Sequence, residues 1–388
     1  MKLKYEIIKI GILGLKLIYM PIRKRRKKDK IVIISRQSKN RSLDIALLSG
    51  YLEKQHPEIE LKVLVRFIDS GVLSKIAYAF HVLRQMNEIA TAKVVVLDGY
   101  CIVASVLQHS NDTKIVQMWH SMAAIKRFGW QTIDKKGGHS RELAGIMCMH
   151  KNYDYVIAPS EITGRFFCEG FGCDSDKIQQ FCLPRIDYIK QLCRNTKEND
   201  GKEINNIGIN STHEMILYAP TFRKNTGLKV KELFESIDFD RFELVVKPHP
   251  LFEEDFAGII QEMGIEGNVI MGSEKSTFEW FAICDRVISD YSAIAIESLV
   301  TGKPLYFYVY DIDEYEEDTG LNVNPLHEVP TISAKSGTEL KQLLDNQYDW
   351  TAYEKLSEMY LRADTEECTK KLAEFIIGVA DGSIKKEY

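Results

Sequence analysis

Short, nearly continuous apolar runs alternate with helical stretches from residue 31 onward, and this alternation restricts the chain to few folds. Runs of this kind are typical of strands buried on both faces, as in parallel sheets covered by helices. In the first half they are IVIIS (31–35), LKVLVRF (61–67), KVVVLDG (93–99), KIVQMWH (114–120) and YVIAPS (155–160). The first half is therefore predicted to be an α/β domain.

A second series of the same kind follows a polar stretch. This stretch, RNTKENDGKEINN, begins after residue 193, has no periodicity and is the candidate linker. The later runs are MILYAPT (215–221), FELVVKPHP (242–250), NVIMG (268–272), RVISD (286–290) and PLYFYV (304–309). We predict an α/β protein with two doubly wound, Rossmann-like domains, residues 31–200 and residues 205–388. Ligands of such sheets bind outside the carboxyl ends of the strands, so the residues directly after each strand are the candidates for a site.

Charge is distributed unevenly along the chain. The formal net charge of −4 combines +9 in residues 1–30 with −13 in the remainder. The body therefore lacks the excess of cations that a general nucleic-acid binder needs to neutralise phosphates. Eight cysteines form no CxxC pair and no zinc-type spacing with histidine, which predicts no structural metal and favours the reducing cytosol.

The N-terminal apolar run, residues 5–20, is interrupted by Lys9 and Lys16 and is too short to span a bilayer. Its densest positive charge follows the run, whereas a signal peptide carries it before. We predict that residues 1–30 form an amphipathic helix in the membrane interface, with a polybasic segment drawn to anionic lipid. The alternative is an ordinary first helix followed by a solvated charge run. The residues predicted to face the membrane are Lys9, Lys16, Arg23, Lys24, Arg25, Arg26, Lys27 and Lys28.

Polar residues follow the strand RVI in the second half. Ser289, Asp290 and Ser292 open a helix at the carboxyl end of that strand, which favours an anion site. Glu297, about a turn and a half farther on, is a candidate acceptor for ribose hydroxyls. The alternative is that Asp290 or Ser292 only caps the helix.

Two further strand ends in the second half carry candidate donor-binding groups. In Lys247-Pro-His249-Pro the two prolines fix the histidine in a rigid turn, although a lone histidine is more often structural. Thr221 and Arg223, after MILYAP, offer a hydroxyl and a guanidinium to phosphate oxygens. Arg223 as a surface cation is the alternative.

The first half contributes one strand-end histidine, in WHSMAAIKRFG. His120 ends a buried strand, with Lys126 and Arg127 close behind it. A neutral imidazole at this position is suited to take a proton from an attacking hydroxyl. The alternative is a core histidine beside Trp119.

Taken in order, WHSMAAIKRFG, YAPTFR, VVKPHP and ISDYSAIAIESLVTGKPLYFYVYDIDEY resemble the CDP-glycerol glycerophosphotransferase family, which builds wall teichoic acid and some capsules. The resemblance implies two Rossmann domains as in B-type glycosyltransferases, an N-terminal membrane-associated segment, and a CDP-alcohol held mainly by the C-terminal domain, leaving the acceptor to the N-terminal one. It implies His120 as general base, with Lys126 and Arg127 on the acceptor side, and His249 at the pyrophosphate. Ser289, Asp290, Ser292 and Glu297 would lie at the nucleotide and phosphate end.

The sequence departs from the polymerases of that family. Lys126 lies six residues after His120 without the usual intervening Gly and Pro, and residues 318–322 replace the usual Arg-Gly-Phe-Tyr. The spacing after His120 is closer to that of the primases, which add the first glycerol phosphate to a lipid-linked disaccharide. The missing Arg-Gly-Phe-Tyr argues against polymerase activity.

The expected activity is transfer of glycerol phosphate from CDP-glycerol to an undecaprenyl-diphosphate-linked saccharide at the cytoplasmic membrane face, releasing CMP. The expected partners are this donor, the lipid-linked acceptor and an anionic membrane surface. No cofactor is expected, and Asp311-Ile-Asp313 is interpreted as a strand-end turn rather than a metal site. The alternatives are transfer from CDP-ribitol or another CDP-alcohol, a nucleotide-sugar glycosyltransferase on the same fold, and a catalytically silent subunit of a polymer assembly complex.

Overall fold

A computed structural model describes residues 2–67, 71–198, 213–221, 227–362 and 364–384. The chain divides into two compact units. One comprises residues 1–122, 127–185 and 363–388, and the other residues 123–126 and 186–362. Each described unit is built on one parallel sheet with helices between the strands. The predicted fold class, two α/β Rossmann-like domains, is confirmed.

The sheet of the first unit has the strand order β2-β1-β3-β4-β5-β6 among the described residues, and each neighbouring pair is parallel. β1, β3 and β5 are buried along their whole length, as their continuous apolar sequence predicts. The strands are β1 (Lys30–Ser35), β2 (Glu60–Val65), β3 (Val94–Leu97), β4 (Lys114–Gln117), β5 (Tyr155–Ala158) and β6 (Ile178–Gln180).

Helices connect these strands. The second of them begins after the N-cap position Ser42, and the sixth ends at Gly172, whose φ of +65° suits a residue without a β-carbon. The helices are α1 (Lys2–Ile22), α2 (Leu43–Gln55), α3 (Val72–Thr91), α4 (Ile102–Val106), α5 (Arg141–Ile146) and α6 (Glu161–Phe171). α7 (Arg185–Glu198) begins at the last residue of this part of the first unit and otherwise belongs to the second.

The sheet of the second unit has the order β12-β11-β10-β7-β8-β9 among the described residues, again all parallel. Its core includes Ile216, Leu244, Ile288 and Tyr306 from four adjacent strands. The strands are β7 (Glu214–Ala219), β8 (Phe242–Val246), β9 (Val269–Met271), β10 (Arg286–Ser289), β11 (Leu305–Tyr308) and β12 (Ser333–Ala334).

The helices of the second unit begin with side-chain caps at several positions. Ser276 and Ser336 each form a capping box with the glutamate three residues later. The helices are α8 (Gly227–Ser236), α9 (Glu253–Met263), α10 (Thr277–Ile283), α11 (Ala293–Ser298), α12 (Ile312–Asp318), α13 (Pro325–Glu328), α14 (Gly337–Asp345) and α15 (Trp350–Tyr360).

The last helix, α16 (Cys368–Asp381), belongs to the first unit, which differs from the expected division at residue 205. Its apolar face packs against α2 and against strands β3 and β4. The Phe375 ring lies 5.3 Å from the Tyr155 ring and 5.0 Å from the Phe181 ring. The sequence carries no signal for this return, because an apolar helix face does not say which sheet it covers.

The predicted linker is partly helical. α7 continues through Glu198 and so includes residues 194–198 of the polar stretch. The rest of that stretch lies outside the described residues.

The N-terminal helix is present, and part of its apolar surface packs against protein. Ile12 and Tyr19 are buried in the first unit. The Tyr19 hydroxyl lies 2.9 Å from His109 Nδ1, and the Tyr5 hydroxyl lies 3.0 Å from Ser140 Oγ. Among the described residues, no helix has the length and apolar character that crossing a membrane requires.

One buried ion pair fixes the start of α2 to the start of α7. Asp44, 1% exposed, accepts hydrogen bonds from the Arg185 backbone N and from Arg185 Nε, both at 2.8 Å. We expect Asp44→Ala to lower the free energy of unfolding by roughly 3–5 kcal/mol, because it leaves a guanidinium without its buried carboxylate. Chemical denaturation followed by fluorescence checks this. The matched control is Glu53→Ala, since Glu53 is exposed on the same helix; equal stability of the two variants would contradict the prediction.

Candidate active site

His120 lies just beyond the carboxyl end of β4, where the sheet rule places ligand-binding groups. Its ring is half-buried, and its Nδ1 lies 2.8 Å from the backbone oxygen of Asp98, which follows β3. A carbonyl oxygen only accepts, so Nδ1 carries the proton. Nε2 of the neutral ring therefore keeps its lone pair. The Gln37 side chain also lies beside this ring, with its amide Nε2 3.2 Å from Nδ1. An amide N–H only donates, so the shorter contact, to the Asp98 carbonyl oxygen, is the one that assigns the tautomer.

The surroundings keep this imidazole neutral. Burial lowers the pKa of His120 below its ordinary value, and the Arg185 guanidinium acts in the same direction. Trp119 covers one face of the ring at a centroid distance of 4.2 Å and is itself packed against Phe128 and Phe171. His120 thus has the packing of a core histidine and the free nitrogen of a base.

Arg185 ties this loop to the buried pair described above. Its guanidinium donates to the His120 carbonyl oxygen at 3.2 Å while it also binds the Asp44 carboxylate. The backbone at His120 is therefore fixed by a charged group whose own position is fixed by a buried carboxylate.

Asp98 and Ser35 lie beside His120 in the candidate site, and the strand-end motifs did not predict them. Ser35 Oγ, at the end of β1, donates to Asp98 Oδ2 at 2.6 Å. Burial raises the pKa of the Asp98 carboxyl to about 6. Asp98 Oδ1 is buried and has no hydrogen-bond partner within the described residues. The signal was present in the sequence, because Asp98 directly follows VVVL just as His120 follows KIVQMW.

In the second unit, Asp290 joins two neighbouring strand ends. It is 1% exposed and follows β10. Its carboxylate accepts from Thr221 N at 2.7 Å, from Thr221 Oγ1 at 2.6 Å and from Ser292 N at 3.0 Å. The side chain predicted to bind donor therefore organises the loops after β7 and β10. Thr221, also predicted as a donor ligand, is held by it.

The other members of the Ser289–Glu297 segment have local partners or are buried. The Ser289 hydroxyl is buried and donates to the Ala219 carbonyl oxygen at 2.7 Å. Ser292 is the N-cap of α11, and its Oγ accepts from Ile294 N at 3.4 Å, as the capping alternative predicted. Glu297 is 1% exposed within that helix. These residues therefore stabilise the loop and helix that follow β10.

His249 faces solvent in the turn after β8, with Lys247 two residues before it. Its Nδ1 accepts from Leu251 N at 3.3 Å, where it is the N-cap of the short 3₁₀ turn Pro250–Phe252. With Nδ1 accepting, the neutral ring carries its proton on Nε2. This is the tautomer opposite to that of His120, and it presents a donor suited to a phosphate oxygen.

Lys126 and Arg127, predicted on the acceptor side, belong to different units. Lys126 belongs to the second unit, where it forms an isolated bridge with Leu321, whereas Arg127 is exposed in the first unit. Arg223 lies outside the described residues.

The Asp-x-Asp segment, interpreted from sequence as a strand-end turn, is a turn only at Asp311, because Asp313 already lies in the first turn of α12. Asp311 precedes α12 and accepts from the Tyr291 hydroxyl at 3.2 Å, and Asp313 pairs with Lys335. Among the described residues no group of three His, Cys, Asp or Glu side chains converges to hold a metal.

Comparisons with known proteins identify the family. The protein-family model described as CDP-Glycerol:Poly(glycerophosphate) glycerophosphotransferase matches residues 17–378 of this chain. The teichoic acid ribitol-phosphate primase of Bacillus spizizenii is 26% identical over 367 residues, covering 90% of each chain. The teichoic acid glycerol-phosphate primase of Bacillus subtilis is 24% identical over 302 residues, covering 76% of each.

Among solved structures, the wall teichoic acid polymerase TagF, in a variant soaked with CDPG, matches with a TM-score of 0.71 at 17% identity, covering 99% of this chain and 98% of that one. This likeness shows a shared fold. The resemblance seen in the strand-end motifs is confirmed by the family model, which covers both units. The chain therefore belongs to the CDP-glycerol:poly(glycerophosphate) glycerophosphotransferase family, the polyol-phosphate transferases of teichoic acid synthesis.

Proposed function

We propose that this chain transfers glycerol phosphate from CDP-glycerol to a hydroxyl of an undecaprenyl-diphosphate-linked saccharide, releasing CMP, in wall teichoic acid or capsule synthesis. Family membership gives the reaction class. The observation that carries the catalytic assignment is His120, whose Nδ1 proton is held by the Asp98 carbonyl so that Nε2 is left as the base. The departures from the polymerase pattern, and similarity to two primases over 90% and 76% of the chain, support a single first transfer over repeated ones.

In the proposed reaction, Nε2 of His120 takes the proton of the acceptor hydroxyl as its oxygen attacks the β-phosphorus of the donor. The new P–O bond forms to the acceptor, and the bond from that phosphorus to the CMP oxygen breaks. CMP leaves with the added negative charge. Hydrogen bonds from His249 Nε2 and charge from Lys247 stabilise the diphosphate as that charge grows. The reaction as proposed uses no metal or other cofactor.

CDP-ribitol is the second candidate donor. The observation in its favour is coverage: the ribitol-phosphate primase of Bacillus spizizenii aligns with 90% of this chain, and the glycerol-phosphate primase of Bacillus subtilis with 76%. Both donors share the cytidine diphosphate, so the same strand ends serve either one.

The His120 assignment predicts a specific kinetic change. We expect His120→Ala to lower kcat by roughly 10² to 10⁴-fold with donor affinity nearly unchanged, because the lost group acts on the acceptor proton. The wild-type rate should fall at low pH as His120 becomes protonated. Because burial lowers the pKa of His120, the midpoint of that fall should lie below about 6.5, the ordinary pKa of a histidine. CMP release measured against pH checks both expectations.

The control for that variant is His150→Gln. His150 is a buried histidine that also packs against Trp119, and burial lowers its pKa to about 3. This variant should lower the melting temperature and spare catalysis per folded molecule. A His120→Ala protein that melts like wild type and transfers at a near-normal rate would remove the proposed base.

The donor assignment predicts an order of affinities and a dependence on His249. By calorimetry, CDP-glycerol or CDP-ribitol should bind more tightly than UDP-glucose, and product masses should show which polyol is transferred. His249→Ala should weaken donor binding and slow transfer, because its Nε2 proton faces the diphosphate. His327→Ala, an exposed histidine of the same unit, is the matched control. Tighter binding of UDP-glucose, or equal effects of the two variants, would contradict the assignment.

We also propose that the protein is peripheral at the cytoplasmic membrane face, and its exposed apolar surface supports this. Leu3, Ile7, Ile10 and Leu17 lie along one side of α1 and are 59–77% exposed. α3 packs beside α1 and adds Ile76, Phe80 and Leu83, which are also exposed. Contiguous apolar patches of this kind mark interaction sites. The adjacent cations at residues 23–28 favour an anionic bilayer as the occupant.

The membrane proposal predicts the effect of two exposed positions. Ile10→Ser together with Leu17→Ser should weaken co-sedimentation with acidic vesicles about tenfold or more, since each side chain contributes roughly 1.5–3 kcal/mol when fully buried. The melting temperature should not change, because neither side chain is in the core. Leu251→Ser, at an equally exposed leucine of the other unit, is the control. Vesicle binding unaffected by the double substitution would place the membrane contact elsewhere.

A further inference from the structure

A cationic groove lies at the amino edge of the first unit's sheet, at the opposite end of β4 from His120. Its volume is about 860 Å³. Residues 23–27, all basic, form one wall, and Lys93 and Lys114, at the starts of β3 and β4, come from elsewhere in the chain. The end of α16 closes the other side with Asp381 and Gly382. The fold therefore assembles residues distant in sequence into one cavity.

Positive charge in the groove exceeds negative charge. Seven cations and two carboxylates, Asp112 and Asp381, line it. Lys93 pairs with Asp29 at 2.5 Å and Lys114 with Asp154 at 3.8 Å, which still leaves the cations in excess. Lys24 and Arg26 are exposed and form no salt bridge within the described residues.

Lys27 shows that this charge is held in place. Its Nζ donates to the Ala90 carbonyl oxygen at 2.8 Å and to Thr113 Oγ1. Burial lowers the pKa of Lys27, and neighbouring Lys30 acts in the same direction. A cation kept half-buried among other cations is stabilised when an anion enters.

We propose that this groove is a binding site for a phosphate group, and that its occupant is the headgroup of an anionic phospholipid. Its volume falls within the range of small-molecule sites. It directly follows α1, which exposes the apolar row Leu3, Ile7, Ile10 and Leu17, so one lipid offers acyl chains to that row and phosphate to the groove. It lies at the amino ends of the strands, and the nucleotide donor of a doubly wound sheet binds at the carboxyl ends. This inference rests on the proposed membrane attachment and is independent of the transfer reaction.

The test uses the full chain and two soluble probes: dihexanoyl phosphatidic acid below the concentration at which it forms micelles, and inorganic phosphate. Calorimetry should show one saturable site for the lipid monomer. Lys24→Gln with Arg26→Gln should weaken this binding about tenfold, and Lys114→Gln should also weaken it although it lies far from the basic segment in sequence. Lys4→Gln with Lys54→Gln removes the same charge from exposed positions on α1 and α2 outside the groove and should change it less than about twofold.

Vesicles containing phosphatidic acid identify the source of the phosphate. Groove variants should reduce vesicle binding more than the Lys4/Lys54 pair does. Equal losses for both pairs would mean diffuse attraction and overturn the site. The headgroup would be overturned as occupant if inorganic phosphate bound saturably while the groove variants still bound vesicles like wild type. Much tighter binding of a soluble polyphosphate chain than of the lipid would also overturn it. Because monomeric lipid is used, a failed membrane contact of α1 leaves the groove result readable.

Discussion

Every described strand runs parallel to its neighbours, and this constraint decides where polar chemistry lies in the protein. Strands covered by helices on both faces leave little room for ionised groups along their length, so such groups collect beyond the strand ends. In the first unit the carboxyl edge collects His120, Asp98 and Ser35. The amino edge collects the cationic groove. The two edges therefore have separate chemistries within one sheet.

Backbone groups set the state of both strand-end histidines. The Asp98 carbonyl holds a proton on Nδ1 of His120, whereas the Leu251 amide leaves Nδ1 of His249 unprotonated. The same side chain thus presents an acceptor in one unit and a donor in the other. This difference matches the two roles that a transfer between a hydroxyl and a diphosphate requires: removing a proton and binding a phosphate oxygen.

Two buried carboxylates, Asp44 and Asp290, position other groups. Asp44 holds Arg185, which in turn binds the His120 carbonyl oxygen. Asp290 binds Thr221 and Ser292 with both of its oxygens. In each unit a buried acid thus fixes strand-end loops that carry candidate site residues, and preorganised loops lose less entropy when a ligand binds.

The sequence by itself determined the fold class and the strand ends that carry candidate chemistry, because continuous apolar runs and the residues that follow them are local features. It placed His120 and His249 at strand ends and missed Asp98, although the same rule applies to it. Tertiary structure alone decided which nitrogen of His120 carries the proton, since Asp98 and His120 follow different strands. It also decided that α16 returns to the first unit and that Ile12 and Tyr19 of α1 face protein. The cationic groove could not be predicted from sequence, because its residues meet only when the sheet and the last helix have folded. These residues are 23–27, Lys93, Lys114 and Asp381.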